Sequence, residues 1–182
     1  MSMIEIRTHG RGGQGAVTAM ELLAKAAGID GKYAQAFPSF GVERRGAPVK
    51  AFCRISDEPI TIRSQVYEPD YVIVLDPSLL EFAGIKEGLK RTSVAVINAG
   101  KKTNLTAANH NYDATSLAIE VLGKDIVNTA MLGVFAKVTG EVSIGSLLRV
   151  MEKRFSGRVA ELNRQLVQRA YDETLNKDEG NE

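Results

Sequence analysis

The spacing of hydrophobic and polar positions changes several times along the first hundred residues. Residues 3–8, MIEIRT, alternate between the two classes and predict a first β-strand. Residues 15–27 place apolar side chains at helical spacing, and Gly28 is a candidate C-cap for that helix. Residues 71–76, YVIVLD, and 93–100, SVAVINAG, are continuous apolar runs, which are typical of strands covered on both faces.

The order of these patterns indicates the fold class. Residues 47–55 and 59–63 carry strand patterns on either side of the turn-forming SDEP, so they predict a hairpin. Asp76 followed by Pro77 predicts a capped helix start after a buried strand. Strands and helices therefore alternate through the first two-thirds of the chain. This alternation predicts an α/β fold, a three-layer α/β/α sandwich with a mostly parallel sheet and an antiparallel hairpin insertion.

The last third of the chain has helical periodicity throughout. Gly140 separates the first two of its helical segments, and Ser143 is a candidate N-cap for the second. We expect residues 1–182 to form a single domain with a helical C-terminal third, and the polar residues 177–182 to fray. The predicted helices span residues 128–138, 143–155 and 158–175.

Composition narrows the class of protein. Of the 182 residues, 44% are hydrophobic and 25% are charged, the balance of an ordinary globular domain, and the net charge of +1 gives no electrostatic reason to expect nucleic acid or a membrane as partner. The single cysteine excludes an internal disulfide and a cluster held by four cysteines, which fits a reducing compartment. We find no secretory signal pattern or membrane-length apolar run, so we expect a cytoplasmic protein.

The stretch from Gly10 to Gly15, GRGGQG, lies between a predicted strand and a predicted helix. This order suits a phosphate site, because a helix start presents free N–H groups and a partial positive charge. The Gly-Lys-Ser/Thr of a Walker loop does not follow. Gly10, Gly12 and Gly15 satisfy the dinucleotide spacing, but the acidic residue expected about 20 residues later is missing. The pattern therefore leaves open a phosphate cradle, a structural turn or a surface for another protein.

A second unusual stretch, FPSFGVERRGAPV, covers residues 37–49. It sets aromatic side chains among arginines, a composition typical of protein interfaces. Guanidinium groups also suit carboxylate and phosphate ligands. We therefore favour a partner interface or an anion contact over a plain surface loop. The candidate residues are Phe40, Gly41, Glu43, Arg44, Arg45 and Gly46.

Isolated reactive side chains have simpler interpretations. No Ser–His–Asp or Cys–His motif is evident, so we predict no catalytic residue and no metal site in this chain. His9 could carry a proton, but we favour a ring that finishes its strand with a hydrogen-bond partner. Cys53 is interpreted as a buried, inert thiol. Asp76 could face a site at the sheet edge, although its role as a cap already explains it.

Three stretches taken together resemble a known family. HGRGGQGAVTA, AFPSFGVERRGAPV and YEPDYVIVLDPSLL, in this order, resemble the gamma subunit of 2-oxoacid:ferredoxin oxidoreductases. The resemblance covers roughly residues 3–175 and is closest to the pyruvate branch, with the 2-oxoisovalerate enzyme a near relative. Its specificity comes from the combination: the glycine stretch after a strand, FGVERRG after the first helix, and Asp-Pro after a buried strand.

The resemblance implies a hetero-oligomeric enzyme that oxidatively decarboxylates pyruvate or a related 2-oxoacid, or runs the reverse carboxylation. Coenzyme A accepts the acyl group and ferredoxin accepts the electrons. Thiamine diphosphate, magnesium and iron–sulfur clusters are implied on the alpha, beta and delta partner subunits, and the single cysteine agrees with that division. This chain is then a gamma subunit without cofactors of its own, inactive alone.

The resemblance also suggests a role for the two unusual stretches. We expect a backbone-exposing loop that presses against the catalytic subunits, with FGVERRG as the neighbouring contact. The alternative is a nucleotide- or coenzyme A-binding α/β module that uses the GRGGQG loop by itself. Pyruvate and 2-oxoisovalerate are not distinguished by this chain. The loop residues are Arg11, Gly12, Gly13, Gln14 and Gly15.

Overall fold

The computed structural model describes residues 3–39 and 45–174 and contains a six-stranded mixed sheet. The strands are β1 (Ile4–Arg11), β2 (Tyr33–Pro38), β3 (Pro48–Ser56), β4 (Tyr71–Val74), β5 (Val94–Asn98) and β6 (Ala108–Tyr112). Their order across the sheet is β2-β3-β1-β4-β5-β6. The pairs β1–β4, β4–β5 and β5–β6 are parallel, whereas β3 is antiparallel to both β1 and β2. The predicted α/β fold with a helical C-terminal part is confirmed.

Helices cover the two faces of this sheet unequally. They are α1 (Ala16–Ile29), a 3₁₀ helix (Pro77–Glu81), the single turn α2 (Ala83–Lys86), α3 (Ala114–Leu122), α4 (Asn128–Thr139), α5 (Ile144–Arg154) and α6 (Gly157–Glu173). The long helices α1 and α3 to α6 pack on one face. The other face carries only the 3₁₀ helix, α2 and irregular segments among the described residues. Within this part of the chain, no helix has the length and apolarity needed to cross a membrane.

The face under the long helices is a continuous apolar core. Alternate strand residues such as Ile6, Cys53 and Val96 point into it and are fully buried. Met20 of α1 and Phe135 of α4 fill the space above them and are equally inaccessible to solvent. Burial of this apolar surface is the main contribution to the stability of the fold.

The opposite face has a smaller apolar cluster and a polar part. Residues of β4 and β5 meet Leu79 of the 3₁₀ helix and Ile85 of α2. Across β1 and β3, two buried arginines take the place of apolar side chains: Arg7 and Arg54 are 2% and 1% exposed. Because a buried guanidinium must be hydrogen-bonded, these arginines fasten the segments that cover them.

Each buried arginine donates to backbone carbonyls of a segment that covers this face of the sheet. Arg7 Nη2 donates to the carbonyl oxygens of Ile85 (3.0 Å) and Glu87 (2.7 Å). Arg54 Nη2 donates to the carbonyl oxygens of Ser64 (2.7 Å) and Gln65 (3.2 Å). Arg54 also pairs through Nε with the Glu5 carboxylate at 2.8 Å and lies over the Phe37 ring. These contacts attach the two segments to the sheet.

The structure corrects some element predictions. The strand expected over residues 59–63 is wrong: these residues are irregular, and β3 pairs antiparallel with β1 and β2 instead. Pro59 has no N–H to give to a ladder, which disfavours pairing there. The helix α1 runs past Gly28 to Ile29, and the left-handed residue after it is Gly31, with φ of 82°. The frayed end predicted for 177–182 lies outside the described residues.

The end of α1 is joined to the start of α5. Asp30 accepts hydrogen bonds from the backbone N–H of Ser143 (2.7 Å), from Ser143 Oγ (2.7 Å) and from Ser146 Oγ (2.6 Å). Ser143 in turn accepts from the Ser146 N–H at 3.1 Å, so the predicted N-cap is confirmed. Gly140, with φ of 69°, ends α4 as the sequence predicts.

Helices α4 and α6 pack closely because one contact position lacks a side chain. A Cβ added at Gly133 would overlap the carbonyl oxygen of Val167. Thr129 Oγ1 donates to Asn163 Oδ1 at 2.9 Å one turn before this contact, and Lys137 lies over the Tyr171 ring one turn after it. The pairs advance by four residues on both helices, so the two helices run in the same direction.

Candidate functional site at the carboxyl edge of β1 and β4

The sheet has a topological switch point between β1 and β4. The two strands are adjacent and parallel. After β1 the chain turns to the face covered by α1, whereas after β4 it turns to the face covered by the 3₁₀ helix. Such divergence forms a crevice outside the carboxyl ends of the strands, where open α/β sheets place their ligands. Residues 12–15 lie on one side of this point and Asp76 on the other.

The glycine loop, residues 11–15, ends directly at the start of α1. Gly15 is the N-cap residue with φ of 76°, a left-handed conformation that favours glycine. A Cβ at Gly15 would also overlap the side-chain amide of Asn128, which donates to the Gly15 carbonyl at 3.3 Å. Asn128 begins α4, so the starts of α1 and α4 meet here. No side chain caps α1 in the described chain, which leaves its first-turn N–H groups available to an anion or a partner.

A carboxylate closes the loop from the side of β4. Asp76 Oδ2 accepts from Arg11 Nε and from Gln14 Nε2, both at 3.1 Å. Gln14 Oε1 accepts from the Arg11 backbone N–H at 2.7 Å. Asp76 Oδ1 accepts from the backbone N–H of Ser78 at 3.0 Å and from Ser78 Oγ at 2.6 Å. The predicted cap is therefore confirmed, and the same carboxylate also binds two side chains of the glycine loop, which the sequence did not indicate.

All three nitrogens of the Arg11 guanidinium group donate hydrogen bonds to other parts of the chain. Besides its bond to Asp76, it donates through Nη1 to the Gly46 carbonyl (3.1 Å) and through Nη2 to Ser78 Oγ (2.7 Å). Its central carbon lies 5.9 Å from the centre of the Phe82 ring. The side chain of Arg11 therefore holds three chain segments together.

The second predicted stretch reaches the glycine loop through its C-terminal end. The Gly12 N–H donates to the Ala47 carbonyl at 2.9 Å, and the Gly46 N–H donates to the Gly12 carbonyl at 3.1 Å. Arg45 forms an isolated bridge with Gly12 and is exposed. The structure thus brings Arg45 and Gly46 to the loop. The other predicted contact residues, Phe40, Gly41, Glu43 and Arg44, lie outside the described residues.

The clamp around Asp76 favours its charged form. Burial pulls the pKa of Asp76 upward, but the hydrogen bonds from Ser78 and Gln14 and the charge of Arg11 outweigh it. The pKa therefore lies below the usual value for an aspartate. At neutral pH the carboxylate is ionised and can accept all four of its hydrogen bonds.

The side chains of His9 and Cys53 are placed as the sequence predicts. His9 is buried and its Nε2 accepts from Arg7 Nε at 2.9 Å. Burial, followed by the charges of Arg7 and Lys50, lowers the pKa of His9 to about 3, so the ring is neutral at neutral pH. Burial raises the pKa of the Cys53 thiol to about 12, which makes it inert. Among the residues described, no three His, Cys, Asp or Glu side chains are grouped as a metal site.

The fold and the site define a class: an α/β module that presents backbone N–H groups and a clamped glycine loop at the edge of its sheet. Residues 5–173 match the model of the family described as pyruvate ferredoxin/flavodoxin oxidoreductase. The chain belongs to this family, and the predicted resemblance is confirmed.

Relatives that match over nearly their full lengths support the same family assignment. Pyruvate synthase subunit PorC of Methanothermobacter marburgensis is 58% identical over 171 residues, which cover 93% of this chain and 97% of the relative. The common gamma subunit of pyruvate/ketoisovalerate oxidoreductases of Pyrococcus furiosus is 49% identical over 180 residues, covering 94% and 97%. The crystal structure of pyruvate oxidoreductase subunit PORC from Thermotoga maritima aligns with a TM-score of 0.84 at 38% identity, over 96% of this chain and 98% of that one. These relatives are subunits of oxidoreductase complexes.

Proposed function

We propose that this chain is the gamma subunit, without redox cofactors of its own, of a complex that oxidatively decarboxylates pyruvate or a related 2-oxoacid. The complex passes the acyl group to coenzyme A and the electrons to ferredoxin, or runs the reverse carboxylation. Family membership and the pyruvate synthase relatives support this reaction class. A relative described as common to pyruvate and ketoisovalerate oxidoreductases supports substrate choice by other subunits.

The residues of this chain do not fit an iron–sulfur cluster. Clusters are held by several cysteine thiolates, and this chain has only Cys53. That thiol lies in the core between the sheet and α1, with its pKa raised by burial. We therefore place the clusters, together with thiamine diphosphate and magnesium, on alpha, beta and delta partner subunits, and we assign no redox step to this chain.

The glycine loop is our proposed contact with the catalytic subunits and with coenzyme A. The observation that carries this assignment is the uncapped start of α1 at the switch point, beside the exposed Arg45. A Cβ at Gly13 would have no described atom within 4 Å, so this part of the loop is open to close approach. Backbone N–H groups and a guanidinium suit a phosphate of coenzyme A or an acidic side chain of a partner.

The contact extends, in this proposal, over two sets of residues. Arg11 and Gln14 shape the loop, and the glycines between and after them present its backbone. Phe40, Gly41, Glu43 and Arg44 continue the contact from Arg45 and Gly46. For these four residues the assignment rests on their sequence alone.

Replacing Arg45 in the reconstituted complex tests the contact. Arg45→Ala is expected to raise the half-saturating coenzyme A concentration, or the subunit concentration needed for assembly, by about fivefold or more. Arg91→Ala is the matched control, because Arg91 is an exposed arginine that precedes β5 at the opposite edge of the sheet. Equal coenzyme A kinetics and equal assembly for both variants and the parent would contradict the proposed contact.

The switch-point location also favours a second candidate, a module that binds a nucleotide or coenzyme A by itself. Titration of the isolated chain with coenzyme A, NAD and FAD separates the two. Binding that is as tight in the isolated chain as in the complex would favour the independent module. Binding that requires the partner subunits would favour a shared site.

A further inference from the structure

We propose that Asp76 is a positioning residue: its carboxylate sets the shape of the glycine loop and the position of Arg45 through Arg11 and Gln14. The inference rests on the proposed function, because it assumes that the loop contacts coenzyme A or a catalytic partner. It goes further by naming the group that holds the contact surface in place. Asp76 itself touches neither ligand nor partner in this proposal.

The two oxygens of Asp76 have separate tasks. Oδ1 accepts both bonds from Ser78 and so caps the 3₁₀ helix. Oδ2 accepts both bonds from the glycine loop, one from Arg11 and one from Gln14. A cap needs only the first pair of bonds. The second pair joins Asp76 to Arg11, which is 65 positions away, and to Gln14, which is 62 positions away. A local cap does not require such distant contacts.

Asp113 is another aspartate that follows a strand and caps a helix, but it has no loop to hold. It lies after β6 and caps α3, accepting from the Ser116 N–H at 3.0 Å and from Ser116 Oγ at 2.7 Å. Its remaining backbone partner, Thr115, also belongs to the first turn of α3. Asp76 and Asp113 are therefore both serine-bonded caps, although Asp76 bonds Ser78 through Oδ1 alone and Asp113 bonds Ser116 through both oxygens. Of the two, only Asp76 reaches into the glycine loop.

The positioning effect extends from Asp76 to Arg45. Arg11, once fixed by Asp76, donates to the Gly46 carbonyl, and Gly46 and Gly12 are joined through the backbone. Arg45 is bridged to Gly12 at the same point. Loss of the carboxylate charge would leave Arg11 without its counter-charge and place an amide N–H opposite two donors. The loop and Arg45 would then no longer be held in one position relative to each other. Coenzyme A binding should weaken, whereas the chemical step, which other subunits perform, should change little.

Asp76→Asn and Asp113→Asn in the reconstituted complex test the proposal. Both variants remove a charged cap and are expected to lower the thermal midpoint, Asp76→Asn by more because it also loses the ion pair with Arg11. Only Asp76→Asn is expected to raise the half-saturating coenzyme A concentration, by about fivefold, with kcat within about twofold of the parent. The Asp113 variant should keep the parent value for coenzyme A. A purely structural role of Asp76 would not produce this difference.

Gln14→Leu keeps the test valid if Asp76→Asn does not fold. It removes the bond to Oδ2 together with the bond that Gln14 Oε1 accepts from the Arg11 N–H, and leaves both bonds from Ser78 in place. We expect a rise in the half-saturating coenzyme A concentration of about twofold or more. Parent-like coenzyme A kinetics in both Gln14→Leu and any folded Asp76→Asn would overturn the inference, as would a loss confined to kcat. If Arg45→Ala still raised the half-saturating coenzyme A concentration, the proposed function would stand. If Arg45→Ala also had parent-like coenzyme A kinetics and assembly, the proposed loop contact would be contradicted as well.

Discussion

On one face of β1, Ile6 and Thr8 pack against α1 in the apolar core. On the other face Arg7 donates to His9 and to the carbonyls of Ile85 and Glu87. Both faces are buried at these positions. The first is held by close packing of side-chain volume, and the second by hydrogen bonds from guanidinium groups. Substitutions should therefore destabilise the two faces by different rules: added or lost carbon atoms on the first, and lost donors or charges on the second.

The largest expected loss of stability is on the polar face of the sheet, the face that carries Arg7 and Arg54. Arg54→Met removes the donors that bind Ser64, Gln65 and Glu5 and leaves the Glu5 carboxylate without its partner. We expect the free energy of unfolding to fall by about 3–5 kcal/mol, as measured by urea unfolding. A loss below about 1 kcal/mol would mean that packing, not hydrogen bonding, holds this face.

A double variant sharpens that result. Glu5→Met together with Arg54→Met removes both charges, so the double variant should be more stable than the sum of the two single losses. Additive losses would show that Glu5 and Arg54 stabilise the protein independently of each other.

On the helical face, Gly133→Ala tests packing. The added Cβ would overlap the Val167 carbonyl oxygen, and we expect a loss of about 3 kcal/mol as α4 and α6 separate. Gly145→Ala in α5 is the control, because a Cβ there meets no atom within 4 Å. The control should gain about 0.5–1 kcal/mol from helix propensity. Equal thermal midpoints for the two variants would contradict close packing at Gly133.

His9 gives the polar face a pH dependence. Its pKa is lowered from 6.5 to about 3 in the folded chain. Below the unfolded-state pKa the unfolded chain therefore binds more protons, and stability falls as the pH falls. Between about pH 7 and about pH 5, this group should cost about 2 kcal/mol. His9→Gln keeps an acceptor for Arg7 without titrating, so the unfolding free energies of parent and variant should converge by this amount as the pH falls; parallel curves would contradict the assignment.

The smallest expected effect is at the surface. Arg164 and Glu152 form an ion pair at 2.6 Å, with side chains 47% and 50% exposed. Solvent screens such pairs, so Glu152→Gln should change the free energy of unfolding by less than about 0.5 kcal/mol. A change as large as that of Arg54→Met would mean that exposure does not separate the two kinds of ion pair.

The sequence predicted elements whose local pattern matched their environment. β4 and β5 are apolar runs because both of their faces are covered. β6 was missed because ANHNY has no apolar alternation, and all five of its residues are half-buried at the sheet edge. β2 was missed because its face toward α1 has only Ala34 and Ala36, which make a weak alternation with Tyr33 and Phe37. α3 was also not predicted from the sequence.

Candidate-site features were predictable only where they are local. The glycine loop before a helix and the Asp76 cap depend on residues a few positions apart, so their motifs are visible in the sequence. The bonds from Arg11 and Gln14 to Asp76 depend on β1 and β4 being neighbours in the sheet, which no local motif encodes. Asn128 was missed for the same reason, because it meets Gly15 across 113 positions.

The bond network of Asp30 has a consequence for synthesis of the chain. Asp30 accepts from Ser143, the N-cap of α5, across 113 positions, and α4 and α5 pack against α1. While the ribosome is still producing the last third, β2 and β3 can cover one side of α1, but the side toward α4 and α5 stays uncovered. Contacts this distant in sequence close late and slowly. Nascent chains should therefore expose apolar surface of α1 until translation is nearly finished, which makes them substrates for chaperones.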